Sequence, residues 1–319
     1  MARLLSSIRG NQQLIERLLS SLQNKQLPST FLFVGPSGVG RRKVAKGLAQ
    51  ALVCERSSLA CGECGPCLRV AQGVSEAVRV VSAEKTQIKI EQSREILDFL
   101  SLRAISNARI VIIDGAHNLN AQAGNALLKI LEEPPENSYF FLIAPSARHV
   151  LPTLRSRSQI VRFGSLTEAD LRSERPAPEW AVQSALGSFE RLDAFLNPGE
   201  VKLRAQAWQI LSKWNKDEPI FLEPESREWM KDRGSLLSLA RYWIMAFRDA
   251  MMFQAGETHR LFNSDQKQGL AALAALPTEK LARLMRLALE LEFGLSAQRD
   301  PQLSFEEFWI LSRREGRSC

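Results

Sequence analysis

The amino-acid sequence predicts an α/β domain built on a parallel sheet, followed by an all-helical region. In the first half of the chain, short apolar runs alternate with amphipathic segments of helical period. This alternation is typical of a parallel sheet covered by helices on both faces. From Leu166 onward the strand signals stop, and Pro176, Pro178, Pro198 and Gly199 separate short helical segments. That change predicts a helical bundle in the second half of the chain.

Each element is placed by its periodicity. Five apolar runs are predicted as strands: 31–34, 78–81, 110–113, 139–143 and 159–162. Between them lie predicted helices at 11–23, 42–53, from 68, 90–102 and 120–132, and a helical turn at 150–156. The C-terminal half contains predicted helices at 200–214, 227–254, 265–275, 278–296 and 303–312, and a loop at 217–224. The chain is therefore divided into a parallel-sheet domain (1–164), a small helical domain (165–199) and a larger helical domain (200–319).

Composition predicts an ordinary globular protein. The chain has 319 residues, of which 45% are hydrophobic and 24% charged, so two or three domains are expected. No apolar run approaches the roughly 20 residues of a membrane span, and the Met1-Ala2-Arg3 start lacks a signal-like core. We therefore expect a cytoplasmic location and no membrane partner. The net charge of +7 is too modest to indicate nucleic-acid binding by itself.

Residues 31–42 have the strand and glycine spacing of a phosphate-binding loop. A working loop, G-x-x-x-x-G-K-[ST], reaches the β- and γ-phosphates with its lysine and coordinates Mg²⁺ with its hydroxyl. Here Gly35 and Gly40 keep the spacing, but Arg41 stands at the lysine position and Arg42 at the hydroxyl position. Arg42 offers no metal ligand and would repel a divalent ion about 4 Å away by roughly 8 kcal/mol at an effective dielectric near 20. We therefore expect no ATP to be bound.

The second nucleotide-binding element is altered as well. The apolar run 109–113 ends in Asp114, which is typical of a buried parallel strand with a Walker B aspartate at its carboxyl end. Gly115 follows, where a hydrolysing enzyme carries a glutamate that polarises the attacking water. Simple turns at both places are the alternative. Two altered elements in the right order, on alternating strands and helices, favour a fold that once bound nucleotide.

Four of the five cysteines are clustered. Cys54, Cys61, Cys64 and Cys67 have the spacing C-x6-C-x2-C-x2-C, with glycines and a proline between them. Tight turns with four thiols are typical of a closed, structural zinc site that leaves no open position for chemistry. Free thiols and disulfides are the alternatives, and disulfides are disfavoured in a cytoplasmic protein.

The tryptophans of the helical region allow two interpretations. Five of them lie between Trp208 and Trp309, and exposed aromatic side chains can stack on nucleic-acid bases. Their helical spacing among leucines instead favours packing within the core.

Four segments together resemble one family: 35–40, the four cysteines, 125–135 and 151–158. They are similar to the bacterial DNA polymerase III clamp-loader subunits, a family of AAA+ proteins. The resemblance implies an AAA+ domain with an inserted zinc knuckle at 54–67, a helical lid at 165–199 and a helical oligomerisation collar at 200–319. Within the family, the two arginines of the loop and the missing Walker B glutamate favour the delta-prime type, which does not hydrolyse ATP, over gamma/tau.

The resemblance also implies partners and a catalytic residue. A delta-prime-like chain contacts the gamma/tau and delta subunits in a five-membered ring that loads the sliding clamp onto primed DNA. The family's Ser-Arg-Cys motif falls on Ser156-Arg157-Ser158, so Arg157 would serve in trans as an arginine finger at the ATP site of the adjacent gamma/tau subunit. Arg191 matches the lid arginine that senses nucleotide in active relatives.

Other interpretations remain open. An ATPase that uses Arg41 in an unorthodox loop would bind ATP as an isolated chain. A zinc-bearing adaptor outside any ring would bind DNA tightly and with strong salt dependence. Arg157 and its neighbour Arg155 also have a plainer interpretation, as surface charges or as ion-pair partners of Glu132 and Glu133.

Overall fold

The computed structural model describes residues 3–84, 86–101, 107–215 and 226–314. The chain forms two compact units. The first is Met1–Arg175 together with Gly187–Glu190, and the second is Pro176–Leu186 together with Arg191–Cys319. Residues 165–199, the predicted lid, are thus shared between the two units.

A five-stranded parallel sheet forms the centre of the first unit. Its strands are β1 (Thr30–Val34), β2 (Val78–Ser82), β3 (Arg109–Asp114), β4 (Ser138–Ala144) and β5 (Gln159–Arg162), in the order β2-β3-β4-β1-β5. All of the pairings are parallel. The central strands β1, β3 and β4 are buried along nearly their whole length, because helices cover both faces. The predicted parallel sheet is confirmed, and strand bounds differ from the prediction by at most one residue.

Helices of the first unit follow the predicted alternation. They are α1 (Gln12–Gln23), α2 (Arg41–Leu52), α3 (Gly65–Gln72), α4 (Ile90–Ser101), α5 (Ala121–Glu132), α6 (Pro152–Arg155) and α7 (Glu168–Glu174). Short 3-10 turns lie at Leu4–Ser7, Ala116–Asn118 and Ala147–His149. Asn120 caps α5 by accepting a hydrogen bond from the Ala123 N–H at 2.8 Å.

Sheet register brings three distant segments to one edge. Val34 pairs with Ala144, and Asp114 pairs with Ile143. Because parallel strands end at the same edge, the loop after β1, the aspartate that ends β3 and the carboxyl end of β4 are neighbours there.

The second unit is helical. It contains α8 (Glu179–Ser184), most of α9 (Phe189–Leu196), α10 (Pro198–Asn215), α11 (Ser226–Lys231), α12 (Arg233–Gln254), α13 (Lys267–Ala274), α14 (Thr278–Ser296) and α15 (Pro301–Arg314), with a 3-10 turn at Thr258–Arg260. No strand occurs among its described residues. The predicted loop at 217–224 lies outside the described residues.

One predicted helix of this unit was wrong in its extent. The predicted helix 227–254 is divided at Asp232 into α11 and α12. Asp232 has extended backbone angles, and its carboxylate accepts a hydrogen bond from the Ser235 N–H at 2.8 Å. Such a cap satisfies the first N–H groups of α12, so a new helix begins there.

Tryptophans of this unit lie in its core. Trp243 and Trp309 are buried, and Trp208, Trp214 and Trp229 pack against the same hydrophobic cluster. Trp243 stacks on Phe308 with ring centroids 5.2 Å apart. The packing interpretation of these residues is confirmed. Among the described residues, none of the helices has the length and apolar character that crossing a membrane requires.

Candidate functional site

The phosphate loop, residues 35–42, is at the carboxyl edge of the sheet. Gly35, Gly38 and Gly40 all have positive φ, and Gly40 is the residue immediately before α2. The glycine-rich loop therefore leads from β1 into a helix N-terminus, as the spacing predicts.

Arg41 turns toward the sheet. Its guanidinium donates a hydrogen bond to the Ala144 carbonyl at the end of β4. Burial lowers the pKa of Arg41 from its usual value, against the opposing attraction of Asp114 and Glu190. The side chain at the lysine position is thus held by the protein's own backbone.

Arg42 contacts the predicted Walker B residue. Its Nη1 lies 3.2 Å from Oδ2 of Asp114, and the two side chains are 55% and 29% exposed. The structure therefore brings together two of the predicted site residues, and the carboxylate that would face a metal ion is paired with a guanidinium.

The turn after Asp114 suits glycine. Gly115 has φ of 87°, and a Cβ at this position would lie 2.9 Å from Nδ2 of Asn118. A glutamate at this position would adopt a left-handed backbone that side chains with a Cβ rarely take. The backbone at position 115 therefore favours glycine over glutamate.

His117, which follows in the same turn, is a site residue that sequence reasoning missed. Burial lowers its pKa, and the positive charges of His149 and Arg41 add to this effect. The negative charge of Asp114 opposes this effect.

A second missed residue is Glu190. Ser37 in the loop donates a hydrogen bond to the Glu190 carboxylate, and the Phe189 N–H donates to the Gly38 carbonyl at 3.0 Å. The sequence singled out the next residue, Arg191, which the structure assigns to the second unit. No charge or periodicity pattern separates Glu190 from other surface acids, so only the folded chain reveals this contact.

Arg157 lies just beyond α6 and forms an ion pair. Its Nε donates to Oε1 of Glu132 at 2.6 Å, and its Nη2 contacts the same oxygen. Its Nη1 also donates to the Thr153 carbonyl at 3.0 Å. The Arg157 and Glu132 side chains are 32% and 48% exposed. The ion-pair interpretation thus describes the isolated chain, and a role toward a neighbouring subunit stays a prediction.

Close packing fixes the segment that carries Arg157. A Cβ on Gly124 of α5 would lie 2.3 Å from Cδ1 of Leu151, and Leu154 is fully buried. Ser158, where the resembling family has cysteine, donates its hydroxyl hydrogen to the Leu154 carbonyl at 2.7 Å. α5 therefore packs against the segment that carries Arg157 and also supplies its ion-pair partner, Glu132.

The cysteine knuckle, residues 54–67, brings its four thiols together. All four Sγ atoms lie within 4.8 Å of one another, with Cys54 and Cys64 4.0 Å apart and Cys61 and Cys67 3.9 Å apart. A tetrahedral zinc ion with Zn–S bonds of about 2.3 Å places its sulfurs about 3.8 Å apart. The four cysteines are not joined as disulfides, and the donor set fits zinc.

Backbone groups support this cluster. The N–H groups of Glu63 and Cys64 point at Sγ of Cys61 from 3.5 and 3.2 Å and lower its pKa to about 6. Burial raises the pKa of Cys67 to about 12. A bound cation would favour the thiolate form of every ligand. The knuckle is anchored from α2, where the Gln50 side chain donates to the Cys67 carbonyl at 3.1 Å.

Comparison with known proteins gives consistent similarities for the first half of the chain. The family model described as "DNA polymerase III, delta subunit" matches residues 10–167, which are 158 of 319 residues. DNA polymerase III subunit delta' of Pseudomonas aeruginosa is 35% identical over 132 residues, covering 40% of this chain and 40% of that protein.

Two further relatives are named as tau/gamma or tau subunits. DNA polymerase III subunit tau/gamma of Haemophilus influenzae is 32% identical over 166 residues, covering 51% of this chain and 24% of that protein. Subunit tau of Escherichia coli is 32% identical over 169 residues, covering 52% and 26%. The matched part of the chain thus spans less than half the length of each relative, and the matches do not distinguish delta' from gamma/tau. These similarities support a clamp-loader AAA+ family for the part of the chain that holds the phosphate loop, the cysteine knuckle and Arg157.

Proposed function

We propose that this protein is a delta-prime-like subunit of the DNA polymerase III clamp loader that hydrolyses no ATP itself. The ion pair between Arg42 and Asp114 carries this proposal. In a working site the residue at position 42 and the Walker B carboxylate both serve the metal ion. Here the residue at position 42 is an arginine, and its guanidinium pairs with the Asp114 carboxylate. Mg²⁺ therefore finds an ion pair where a working site offers two ligands.

Two further contacts support the same conclusion. The hydrogen bond of Arg41 to the Ala144 carbonyl argues against an ATPase that uses Arg41 for phosphate. At Gly115 the residue after Asp114 has a left-handed backbone and no side chain that could activate water. The chain therefore acts through its neighbours.

Arg157 is the residue proposed to act on a neighbour. It extends from a short helix held against α5 and remains about one-third exposed. A guanidinium of this kind can neutralise charge that develops on a γ-phosphate, an effect worth about 10³ to 10⁵ in turnover in GTPases. To do so, Arg157 would break its ion pair with Glu132 and contact the γ-phosphate of ATP bound to an adjacent gamma/tau subunit.

The other proposed parts are structural. The knuckle would hold one zinc ion and stabilise the excursion between α2 and α3. The helical second unit would supply the collar that holds the ring together with gamma/tau and delta subunits, and contact with the sliding clamp and primed DNA would be indirect.

A reconstituted clamp loader tests this function. The chain is mixed with gamma/tau and delta subunits of its own species, and ATPase stimulated by clamp and primed DNA is measured with the wild type, Arg157→Ala and Arg155→Ala. Arg155→Ala removes the same charge two residues away and is the matched control. We expect Arg157→Ala to lower the stimulated rate at least tenfold, and Arg155→Ala to change it less than twofold.

Two results would contradict the proposal in different ways. An unchanged rate with Arg157→Ala would remove the finger assignment and leave the scaffold role. Robust ATP hydrolysis by the chain alone, abolished by Asp114→Ala, would show that the chain is itself an ATPase.

A further inference from the structure

A groove lies between α1 and the edge strand β5. Residues of both elements line it, and its volume is about 860 Å³. Clefts of about 300 to 1,000 Å³ are typical of ligand-binding sites. Its buried lining residues include Leu18 and Phe31, and its exposed ones include Gln159 and Arg162. The groove therefore combines an apolar interior with a polar rim.

β5 presents backbone groups along this groove. It is the last strand of the sheet and pairs with β1. The Phe163 N–H, just beyond β5, donates to the Val34 carbonyl of β1 at 2.8 Å. Backbone groups of successive residues point to alternate sides of a strand, so the N–H and C=O groups of Ile160 and Arg162 point away from β1. Within the part of the chain that the structure describes, no residue forms a hydrogen bond with these groups. Such an edge can accept a further strand.

The charges of the groove are all positive. Arg17 on α1 and Arg162 on β5 line it and are exposed. Among the described residues, neither arginine has an ion-pair partner. None of the lining residues is acidic, and Gln13, Gln26 and Gln159 add amide groups. The groove is therefore complementary to carboxylates.

We propose that β5 accepts an extended acidic segment of another protein as a sixth strand, with the carboxylates of that segment at Arg17 and Arg162. Backbone hydrogen bonds to Ile160 and Arg162 supply the affinity, and the two arginines select an acidic sequence. This inference concerns a surface away from the phosphate loop and does not depend on Arg157 or on a role in a ring.

Two other occupants fit the groove less well. A second copy of this chain would bring another net charge of +7 to a positive groove. Single-stranded nucleic acid stacks its bases on exposed aromatic side chains, but the aromatic residue of the lining, Phe31, is only 2% exposed. An acidic strand matches both the charge of the groove and the backbone groups at its edge.

Fluorescence polarisation with short labelled peptides in low-salt buffer tests the proposal. The acidic probe repeats Val-Val-Glu-Glu and the basic probe repeats Val-Val-Lys-Lys, so charges reach both faces of an added strand. The proteins are the full-length wild type, a charge-reversal variant with Arg17→Glu and Arg162→Glu, and a control variant with Lys89→Glu and Arg94→Glu. The control makes the same change in charge at α4, which forms an ion pair with β2 at the opposite edge of the sheet.

We expect the wild type to bind the acidic probe at least tenfold more tightly than the basic probe, which is about 1.4 kcal/mol. The charge-reversal variant should prefer the basic probe, because two carboxylates then line the groove. The control variant should keep the preference of the wild type, since its changes lie outside the groove.

Backbone pairing is tested separately at Ile160. Ile160→Pro removes the N–H that points away from β1 and is compatible with an edge strand, whereas Ile160→Ala keeps that N–H and shortens the side chain. We expect Ile160→Pro to weaken binding of the acidic probe by about fivefold, the size of one lost hydrogen bond, and Ile160→Ala to weaken it less. If Ile160→Pro does not fold, the charge reversal decides the question.

Three outcomes would overturn the inference. These are equal binding of the two probes by the wild type, an unchanged preference in the charge-reversal variant, and the same inversion in the control variant. Tighter binding of an oligothymidylate that depends on Arg17 and Arg162 would assign the groove to nucleic acid, and self-association abolished by the charge reversal would assign it to a second copy. A failure of Arg157→Ala to affect the reconstituted ring would leave this inference intact, because the peptide experiments use the chain alone.

Discussion

The cysteine knuckle and the phosphate loop lie in the same unit but fill their ligand positions differently. In the knuckle, four thiols converge on one point, and the backbone N–H groups around Cys61 point at its sulfur. In the loop, Arg42 pairs with Asp114, Arg41 with the Ala144 carbonyl, and Ser37 with Glu190.

The two regions differ in whether their polar side chains already have partners within the chain. The loop retains its glycine turns and its helix, yet its charged groups are satisfied within the chain. The knuckle gathers four sulfurs with few apolar neighbours, so we expect its stability to depend on a bound ion.

Removal of one thiol should give the largest effect. We expect one zinc per chain by elemental analysis, and Cys67→Ser should lose the metal and about 3 kcal/mol of stability, which lowers Tm by roughly 6 to 12 °C. Cys319→Ser removes the fifth thiol of the chain and is the matched control, which we expect to change neither quantity. A zinc-free wild type with the same Tm would remove the distinction between the two regions.

The turn at Gly115 should give the next effect. Gly115→Ala forces a Cβ into a backbone with φ of 87° and toward Asn118, so we expect a loss of about 1 to 2 kcal/mol in denaturant unfolding. Gly164→Ala, at a glycine whose added Cβ meets its nearest neighbour at 3.8 Å, should be nearly neutral. Equal costs for the two changes would show that the turn at Gly115 is not shaped for glycine.

The ion pair of the loop should matter less for stability. Arg42→Ala leaves Asp114 partly solvated, and because Arg42 is 55% exposed, we expect a loss below about 1 kcal/mol. Lys43→Ala removes the same charge from the next exposed position and should give a similar small value. A loss as large as that of Cys67→Ser would mean that the loop, like the knuckle, depends on one interaction.

His117 should produce the smallest effect, seen only as a pH dependence. Because its pKa is lowered in the folded chain, the unfolded chain takes up the proton first as the pH falls below about 6.5. The stability that neutral His117 contributes above that pH is then lost as the pH falls toward the pKa of His117 in the folded chain. His117→Gln should make Tm vary less between pH 7.5 and pH 5.5. The same slope in His117→Gln and in the wild type would show that His117 does not contribute.

Sequence patterns predicted local features better than the contacts between them. Apolar runs located all five strands because buried parallel strands are nearly continuous in their hydrophobicity. Cysteine spacing predicted the knuckle because its ligands are close in sequence. The pairing of Arg42 with Asp114 depends on strand order, and the Glu190 contact depends on where the chain returns after α8, so neither follows from local pattern.

One missed feature did have a local signal. Asp232 followed by Gly234 and Ser235 is a typical helix start within an otherwise continuous helical pattern. The apolar periodicity on both sides of Asp232 predicts one continuous helix. In the structure the cap at Asp232 sets a helix boundary within that pattern.

The continuity of α5 has a mechanical consequence. Asn120, three residues after His117, caps this helix, and the helix ends at Glu132, which pairs with Arg157. Twelve residues of helix are about 18 Å long, and the first turn packs closely against Leu151 at Gly124. α5 is thus one continuous helix between the turn after β3 and the ion-pair partner of Arg157, and it fixes the distance between them.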